Sequence, residues 1–344
     1  MDYKDVNAIE INHLPDEVLG LIFKFLPLED VLACENVCKR WKKLSNDPIL
    51  WRKFVIVFSG KPGQSEVSAK NFEIISSHST FICALKIQYV YNYSDIKSIL
   101  EKCLNLTSLE LVMCRIGSDF KDDIEERIHL QKLSLKNSIQ LSSDEDWLLP
   151  FPKLKELKYL ALSDFGLSSL NCDTLLDCTN LSHIYIEKIK DLDIDFMKKL
   201  IQSKEEKLET LHVYGGDSVD DSCLKMLAKC TRLKDLAIIR CEELTDVGLL
   251  ALINFKSIEH LQIWNNNNFT EKGLLQTLGS NTLITLESLS LSRVRNISPI
   301  IVDIISEYYK NLKFLALYQC PRIINTDYEK QLKSKFRNID VVLY

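Results

Sequence analysis

Along most of the chain, apolar residues fall first in a short alternating phase and then in a longer helical one. Residues 233–255, LKDLAIIRCEELTDVGLLALINF, show both. Leu233, Leu236 and Ile238, with Cys241 and Leu244 behind them, predict a short strand and its turn. Leu249, Leu250, Leu252 and Ile253 recur at helical spacing, and Thr245 stands where a side chain caps a helix. The first apolar position returns at Ile82, Leu106, Leu130, Leu157, Leu181, Leu208, Ile258, Leu286, Leu312 and Phe336, at intervals of 24 to 28 residues. One strand and one helix bury too little apolar surface to offset the entropy of ordering them. The copies must therefore stack, each using the next as part of its core.

Residues 14–54 follow another rhythm. Leu19, Ile22, Phe23 and Leu26 form a helical stripe ended by Pro27, with Pro15 in a first-turn position that tolerates it. A second helix is expected from Leu28 to Leu44, carrying Val31, Leu32, Val37, Cys38 and Trp41. A third, short helix is expected after Asp47-Pro48, with Ile49, Leu50, Trp51 and Phe54. So small a module hides few apolar groups, and some should remain for another surface. A breaker cluster from Ser59 to Ser65 marks its end, and a helix is expected from about Ala69 to Ser79. The third copy of the repeat departs from the pattern in SIQLSSDEDWLLPFPK, where an irregular loop carrying Trp147 is expected.

Composition narrows the setting. With 344 residues, 46% hydrophobic and 26% charged, the chain is long enough for a large core. Its formal charge of -5 argues against a nucleic-acid protein, which usually carries a basic excess. No apolar run approaches the roughly 18 residues that span a bilayer. The acidic N-terminus lacks the basic then apolar order of a secretory signal, so a cytoplasmic or nuclear location is expected. The eleven cysteines are odd in number and include no C-x-x-C pair. Cys114, Cys241 and Cys320 fall eight residues after a first leucine, and Cys103, Cys178 and Cys230 three before one. They are expected to be small packing residues in a reducing compartment. Five N-x-S/T sequons, at Asn92, Asn105, Asn180, Asn268 and Asn296, would matter only in an exported chain.

The residues of the N-terminal module resemble an F-box over residues 11–57. Leu14-Pro15, Val18-Leu19, Ile22, Leu26, Leu28, Asp30, Val37-Cys38, Trp41, Leu44 and Leu50-Trp51 match that motif in order and spacing. The resemblance implies docking onto the Skp-type adaptor of a cullin-RING ubiquitin ligase. Leu14, Pro15, Val18, Leu19, Ile22, Leu28, Cys38, Trp41 and Trp51 are then candidate docking residues. The later copies resemble the cysteine-containing leucine-rich repeats often joined to F-boxes, with the L-x-x-L-x-L-x-x-N/C-x-L phase. The expected architecture is α/β: a three-helix F-box at 11–57, a linker and first cap helix at 58–79, and about eleven repeats over 80–344. Those repeats would form a curved parallel sheet with helices on its convex side.

Strand alternation places motif positions three, five and seven on the opposite, concave face. This selects Tyr159, His183, Tyr185, His212, Tyr214, Ile239, His260, Gln262, Trp264, Phe314 and Tyr318. Rigid aromatic groups on a sheet suit protein binding, because they bury large areas with little loss of rotamer entropy. Arg240, Arg293, Arg295 and Arg322 lie just beyond the strands, where they could hold a phosphate or carboxylate. His183, His212 and His260 share the face but lie too far apart for one metal shell. No P-loop, dinucleotide fingerprint, G-x-S-x-G or H-E-x-x-H is present. The expectation is a non-catalytic chain without metal or cofactor, the substrate-recognition subunit of a Skp-cullin-F-box ligase. Its partners would be the adaptor, through it a cullin, and a protein substrate, with neither nucleic acid nor membrane. The alternative is a repeat scaffold with no role in ubiquitination.

Overall fold

In a computed structural model, the residues described are 11–60, 69–140, 149–165, 169–189, 192–215, 218–336 and 339–343. The chain divides into two compact units, Met1–Leu109 and Glu110–Tyr344.

The first unit begins with a 3-10 turn at Ile11–His13. Helices α1 (Asp16–Phe23), α2 (Leu28–Cys34), α3 (Lys39–Ser45) and α4 (Pro48–Trp51) follow, then strand β1 (Val55–Ser59). Phe23, Val31, Cys34 and Leu50 form the core of the helical part, with Ile22, Leu26, Trp41, Leu44 and Phe54 packed around it. The expected single helix from Leu28 to Leu44 is in fact two, broken at residues 35–38. The break re-aims α3. It brings the Trp41 ring edge-on to Phe23 at 5.2 Å. It also lets Arg40 donate to Asp16 Oδ1 at 2.6 Å and to the carbonyls of Asn12 and Leu14 at 2.5 Å. At the other end of α1, Lys53 Nζ donates to the carbonyls of Lys24 and Leu26 at 2.7 Å, satisfying groups that a helix C-terminus leaves open. Asp47 caps α4 through Ile49 N–H at 2.8 Å.

Helix α5 (Ala69–His78), strand β2 (Ala84–Gln88) and helix α6 (Tyr93–Lys102) complete this unit, and β1 pairs in parallel with β2. The segment that closes the helical module thus also supplies a sheet strand. The His78 ring stacks on Trp51 at 4.6 Å and 16°, and its Nε2 lies 2.7 Å from Glu35 Oε1.

The boundary between the units falls inside β3 (Ser108–Val112). A short pair, β4 (Arg115–Ile116) and β6 (Ile139–Gln140), flanks α7 (Phe120–Glu125) and β5 (Lys132–Lys136). The strands β7 (Tyr159–Ser163), β8 (His183–Glu187), β9 (Thr210–Tyr214), β10 (Asp235–Ile239), β11 (His260–Trp264), β12 (Ser288–Ser290), β13 (Phe314–Ala316) and β14 (Asp340–Val342) continue the series. From β5 through β14 every pairing is parallel and in chain order. The intervening helices are α8 (Ser169–Leu175), α9 (Ile194–Lys204), α10 (Asp221–Leu227), α11 (Asp246–Leu249), α12 (Glu271–Leu278), α13 (Pro299–Tyr308) and α14 (Asp327–Lys335). Helices α9 to α13 contact one another in that same order. Every first apolar position of the repeat, from Ile82 to Phe336, is buried. Trp147 and half of the irregular loop of the third copy, residues 141–148, lie outside the described residues.

Neighbouring copies in the second unit are tied by backbone bonds that the apolar pattern does not reveal. The residue after each of β5, β7, β8, β9 and β10 has a positive φ: Asn137, Asp164, Lys188, Gly215 and Arg240 lie between 48° and 83°. Each donates its N–H to the last carbonyl of the next strand, at 2.7 to 3.0 Å, as Arg240 does to Trp264. For the non-glycine residues the left-handed conformation costs about 1–2 kcal/mol, which the inter-strand bond and the packing beneath it must offset. After Arg240, the buried Cys241 continues the tie. Cys241 N–H donates to Asn266 Oδ1 at 2.9 Å, and Asn266 Nδ2 donates to the Ile238 carbonyl at 3.1 Å. Four of the five sequon asparagines do similar work: Asn105, Asn180, Asn268 and Asn296 donate to carbonyls of the preceding copy. The fifth, Asn92, caps α6. The described residues include no helix long and apolar enough to cross a membrane.

The loops entering the helices are coupled too. Asp221 accepts from Thr245 N at 2.8 Å and from Thr245 Oγ1 at 2.6 Å, and Asp246 does the same for Thr270 at 2.8 and 2.5 Å. Gly248 and Gly273 leave room for those carboxylates: a Cβ on Gly248 would sit 2.3 Å from Asp221 Oδ1 and 3.0 Å from its Cα. Gly248→Ala therefore displaces a carboxylate that holds the next helix start. Its expected cost is about 1–3 kcal/mol, read from urea unfolding. Combined with Asp221→Ala, the loss should be smaller than the sum of the two single losses, because the clash disappears with the carboxylate. Strict additivity would contradict the contact.

None of the eleven cysteines forms a disulfide, and nine of them are buried. Burial pushes Cys178 and Cys230 up to about 12, and Cys223 and Cys320 up to about 11. An unfolded thiol titrates near about 8.5, so the contribution of the neutral buried form is complete below that pH and is lost as pH rises through the folded values. Unfolding in reducing buffer between about pH 9 and 10 should show falling stability, with the slope in Cys178→Ala shallower by about 1.4 kcal/mol per pH unit. An unchanged slope would mean that Cys178 ionises as readily in the folded chain as in the unfolded one.

Candidate functional site

Two surfaces emerge, one in each unit. On the helical module, Val18, Leu21 and Phe25 fall at i, i+3 and i+7 along α1 and just past its end, and all three are exposed, Phe25 by 89%. Ile11, Val37 and Ile49 are exposed as well. Gly20 has nothing within 4 Å of where a Cβ would be, so α1 is open at that point. A shallow cavity of about 360 Å³ there is lined by Leu21 and Leu50 together with Asp16, Glu17, Lys24 and Asp47. The surface is apolar with a charged edge.

The sequence-predicted docking residues separate into two groups. Pro15, Val18 and Cys38 are exposed, and Leu14, Ile22, Leu28 and Trp41 are half-buried. Leu19 and Trp51 are buried. Trp51 is enclosed by His78, Phe54 and Phe81, and its Nε1 donates to the Ser45 carbonyl at 2.8 Å. The expectation that these two side chains meet a partner directly is corrected: they brace the module and offer no surface. Trp41 serves both purposes, one side on Phe23 and its Nε1 bonded to Asn12 Oδ1 at 2.9 Å. Leu21 and Phe25 were not singled out by sequence. Their i+3 and i+7 spacing from Val18 was the signal available.

On the sheet, the selected residues fall on the face opposite the buried leucines, where each is half-buried or, for Trp264, 37% exposed. Parallel register sorts them into rows. Tyr159 pairs with His183 and Ala161 with Tyr185, while Tyr185 pairs with His212. The rings of Tyr159 and Tyr185 lie 4.9 Å apart, those of Tyr185 and His212 4.6 Å, and those of Tyr159 and His183 6.4 Å. This cluster has charged ends: Lys132, which strand alternation also places on this face, and Asp235, which sequence reading did not select. Lys132 Nζ sits 4.7 Å from the Tyr159 ring centre, and Asp235 Oδ1 lies 2.9 Å from His212 Nε2. Burial, then the Tyr185 and Glu110 charges, push the Tyr159 hydroxyl up to about 12. Burial, helped by Asp235, raises Tyr185 too. Both stay neutral hydroxyls at neutral pH.

Tyr214, Ile239, Trp264 and Tyr318 form a second group around a cavity of about 490 Å³ at the far ends of the strands. His260 and Phe314 join neither group directly, since Ser288 lies between them in the register. Among the described residues, no three metal-ligating side chains gather in one place.

The helical module has counterparts among known proteins. The family described as F-box-like matches residues 11–57. The chain is 24% identical over 225 residues to the F-box protein SKIP19 of Arabidopsis thaliana, covering 55% of this chain and 74% of that one. It is 23% identical over 335 residues to the putative RNA-binding protein EEED8.10 of Caenorhabditis elegans, covering 90% of this chain but only 43% of that longer protein. Among solved structures, a chain of the Rad7 and Elc1 complex from yeast superposes with a TM-score of 0.56 at 17% identity, covering 95% of this chain and 92% of that one. That likeness is one of fold. The chain therefore carries an F-box-like domain at its N-terminus, is homologous to an F-box protein, and continues as a parallel α/β solenoid of the leucine-rich-repeat type.

Proposed function

We propose that the chain is the substrate-binding subunit of a Skp-cullin-F-box ubiquitin ligase. The observation that carries this reading is the exposed apolar stripe Val18, Leu21 and Phe25 on a module that matches the F-box-like family. Apolar surface left in water on and just past one short helix, most of all on Phe25, is unfavourable by roughly 25 cal/mol per Å² relative to burial, so a partner that covers it gains that amount. The solved relative in fold comes from a complex of Rad7 with a second protein, Elc1. In this reading the partner is a Skp-type adaptor, through which a cullin is reached.

The sheet face then holds a protein substrate. Its ring cluster is bracketed by neighbouring side chains and loses little freedom on binding, which favours recognition over catalysis. The chain performs no chemistry in this scheme. It raises the local concentration of substrate lysines near a ubiquitin-loaded enzyme, a gain of effective concentration of order millimolar for a tethered pair. Degradation of the substrate, and a cytoplasmic or nuclear setting, belong to the same proposal.

Two measurements test it. Val18→Glu with Leu21→Glu places charges on exposed positions, so the module should remain folded while affinity for a purified Skp-type adaptor falls more than tenfold in a titration. Full adaptor binding by a folded double variant would show that α1 is not the docking face. For the sheet, affinity capture of the whole chain beside Tyr185→Ala should recover proteins that the variant loses while the adaptor stays bound. Captured proteins whose half-lives do not lengthen when the chain is depleted would favour a scaffold outside ubiquitination.

A further inference from the structure

The 490 Å³ cavity at the strand ends has a composition that the rest of the sheet face lacks. It arises because the last row of the register runs from the large Tyr214, Ile239 and Trp264 to the small Ser292 before rising again at Tyr318. Backbone bonds from Asn265 to Ser292 and from Arg293 to Tyr318 fix that row. Trp264 is a preset wall: its Nε1 donates to Ser290 Oγ at 2.5 Å, which holds the indole in place while part of the ring stays open.

Two cations stand at the rim, Arg240 and Arg293, and no carboxylate is among the described residues that line the cavity. Both arginines are in the left-handed region, at φ of 57° and 54°, Arg240 directly after β10 and Arg293 three residues past β12, and both backbone N–H groups donate to the next copy, to the Trp264 and Tyr318 carbonyls. Arg293 lies over the Tyr318 ring at 5.6 Å, and its Nε donates to Gln319 Oε1 at 2.8 Å, which orients the guanidinium and leaves its terminal N–H groups for another acceptor. Arg240 is exposed and has no ion pair among the described residues. The two positions are two strands apart, about 10 Å at the backbone, a span that two guanidinium side chains can close over one anion.

We propose that this cavity is the specificity pocket of the sheet face, taking an anionic side chain of a partner protein, acidic or phosphorylated, beside an aromatic or aliphatic neighbour. The arginines bind the anion by charge-assisted forks, and Tyr214, Trp264 and Tyr318 bury the apolar neighbour. The proposal rests on the substrate-binding role given above and names the chemistry that role selects. Basic and aromatic groups together also suit single-stranded nucleic acid. The net charge of -5 favours a peptide.

The test uses the full chain with four random nonapeptide libraries, fixed at the central position as Glu, phosphoserine, Lys or Ser, and with an oligouridine RNA. The Glu and phosphoserine libraries should be retained about tenfold more than the Lys and Ser libraries, with apolar residues enriched next to the fixed position. Comparison of the two anionic libraries distinguishes a carboxylate ligand from a phosphate one. In the double variant Arg240→Gln/Arg293→Gln the preference should fall to about onefold while adaptor binding is unchanged. Trp264→Ala should lose the apolar enrichment and keep the anion preference. Equal retention of all four libraries, a preference that survives the double variant, or RNA binding that the double variant abolishes would each overturn the proposal. Loss of adaptor binding by the wild-type chain would instead overturn the substrate-binding role itself.

Discussion

No copy of the repeat can satisfy its own backbone or bury its own apolar face, and the architecture follows from that constraint. A strand of three to five residues with one helix leaves a row of N–H and C=O groups open on each side and one apolar face uncovered. Parallel stacking removes both deficits at once. The residue after each of β5, β7, β8, β9 and β10 completes the arrangement by donating to the next strand's last carbonyl, even where this forces a lysine or an arginine into the left-handed region. The surface at the strand ends is thus fixed by the same bonds that hold the fold. Side chains at those positions, Arg240 and Arg293 among them, begin from rigid backbone.

The helical module obeys the opposite economy. Its core is small, and much of its order comes from polar clamps at the ends of α1: Arg40 on the carbonyls that precede it and Lys53 on those that follow. Those clamps hold α1 in place without enclosing it. Val18, Leu21 and Phe25 can therefore remain in water while the helix keeps its position, which is what an apolar docking surface requires.

The solenoid was legible in the sequence because one buried position per copy recurs at 24 to 28 residues, and every one of those positions is buried. Face assignment was legible for the same reason, since strand alternation leaves little freedom once the leucines are placed. The break at residues 35–38 was not legible: no glycine or proline marks it, and it is set by tertiary contacts of Trp41 and Arg40. Burial of Trp51 was hidden likewise, because its enclosing partners His78 and Phe81 lie well downstream. Left-handed backbone at Lys188 or Arg240 carries no residue signature either. The two groupings on the sheet depend on register across copies, so single strands could name Tyr185 or Trp264 as exposed but could not place Asp235 against His212 or two arginines at one cavity.

The central claim is that adaptor docking and cargo recognition are assigned to separate surfaces of one chain. Hydrogen exchange of the whole chain, with and without a saturating Skp-type adaptor, tests it most directly. The account predicts added protection confined to α1 and the segment joining α2 to α3, with the amides at the ends of β9 to β13 unchanged. Protection spread over those strand ends, or none on α1, would contradict it.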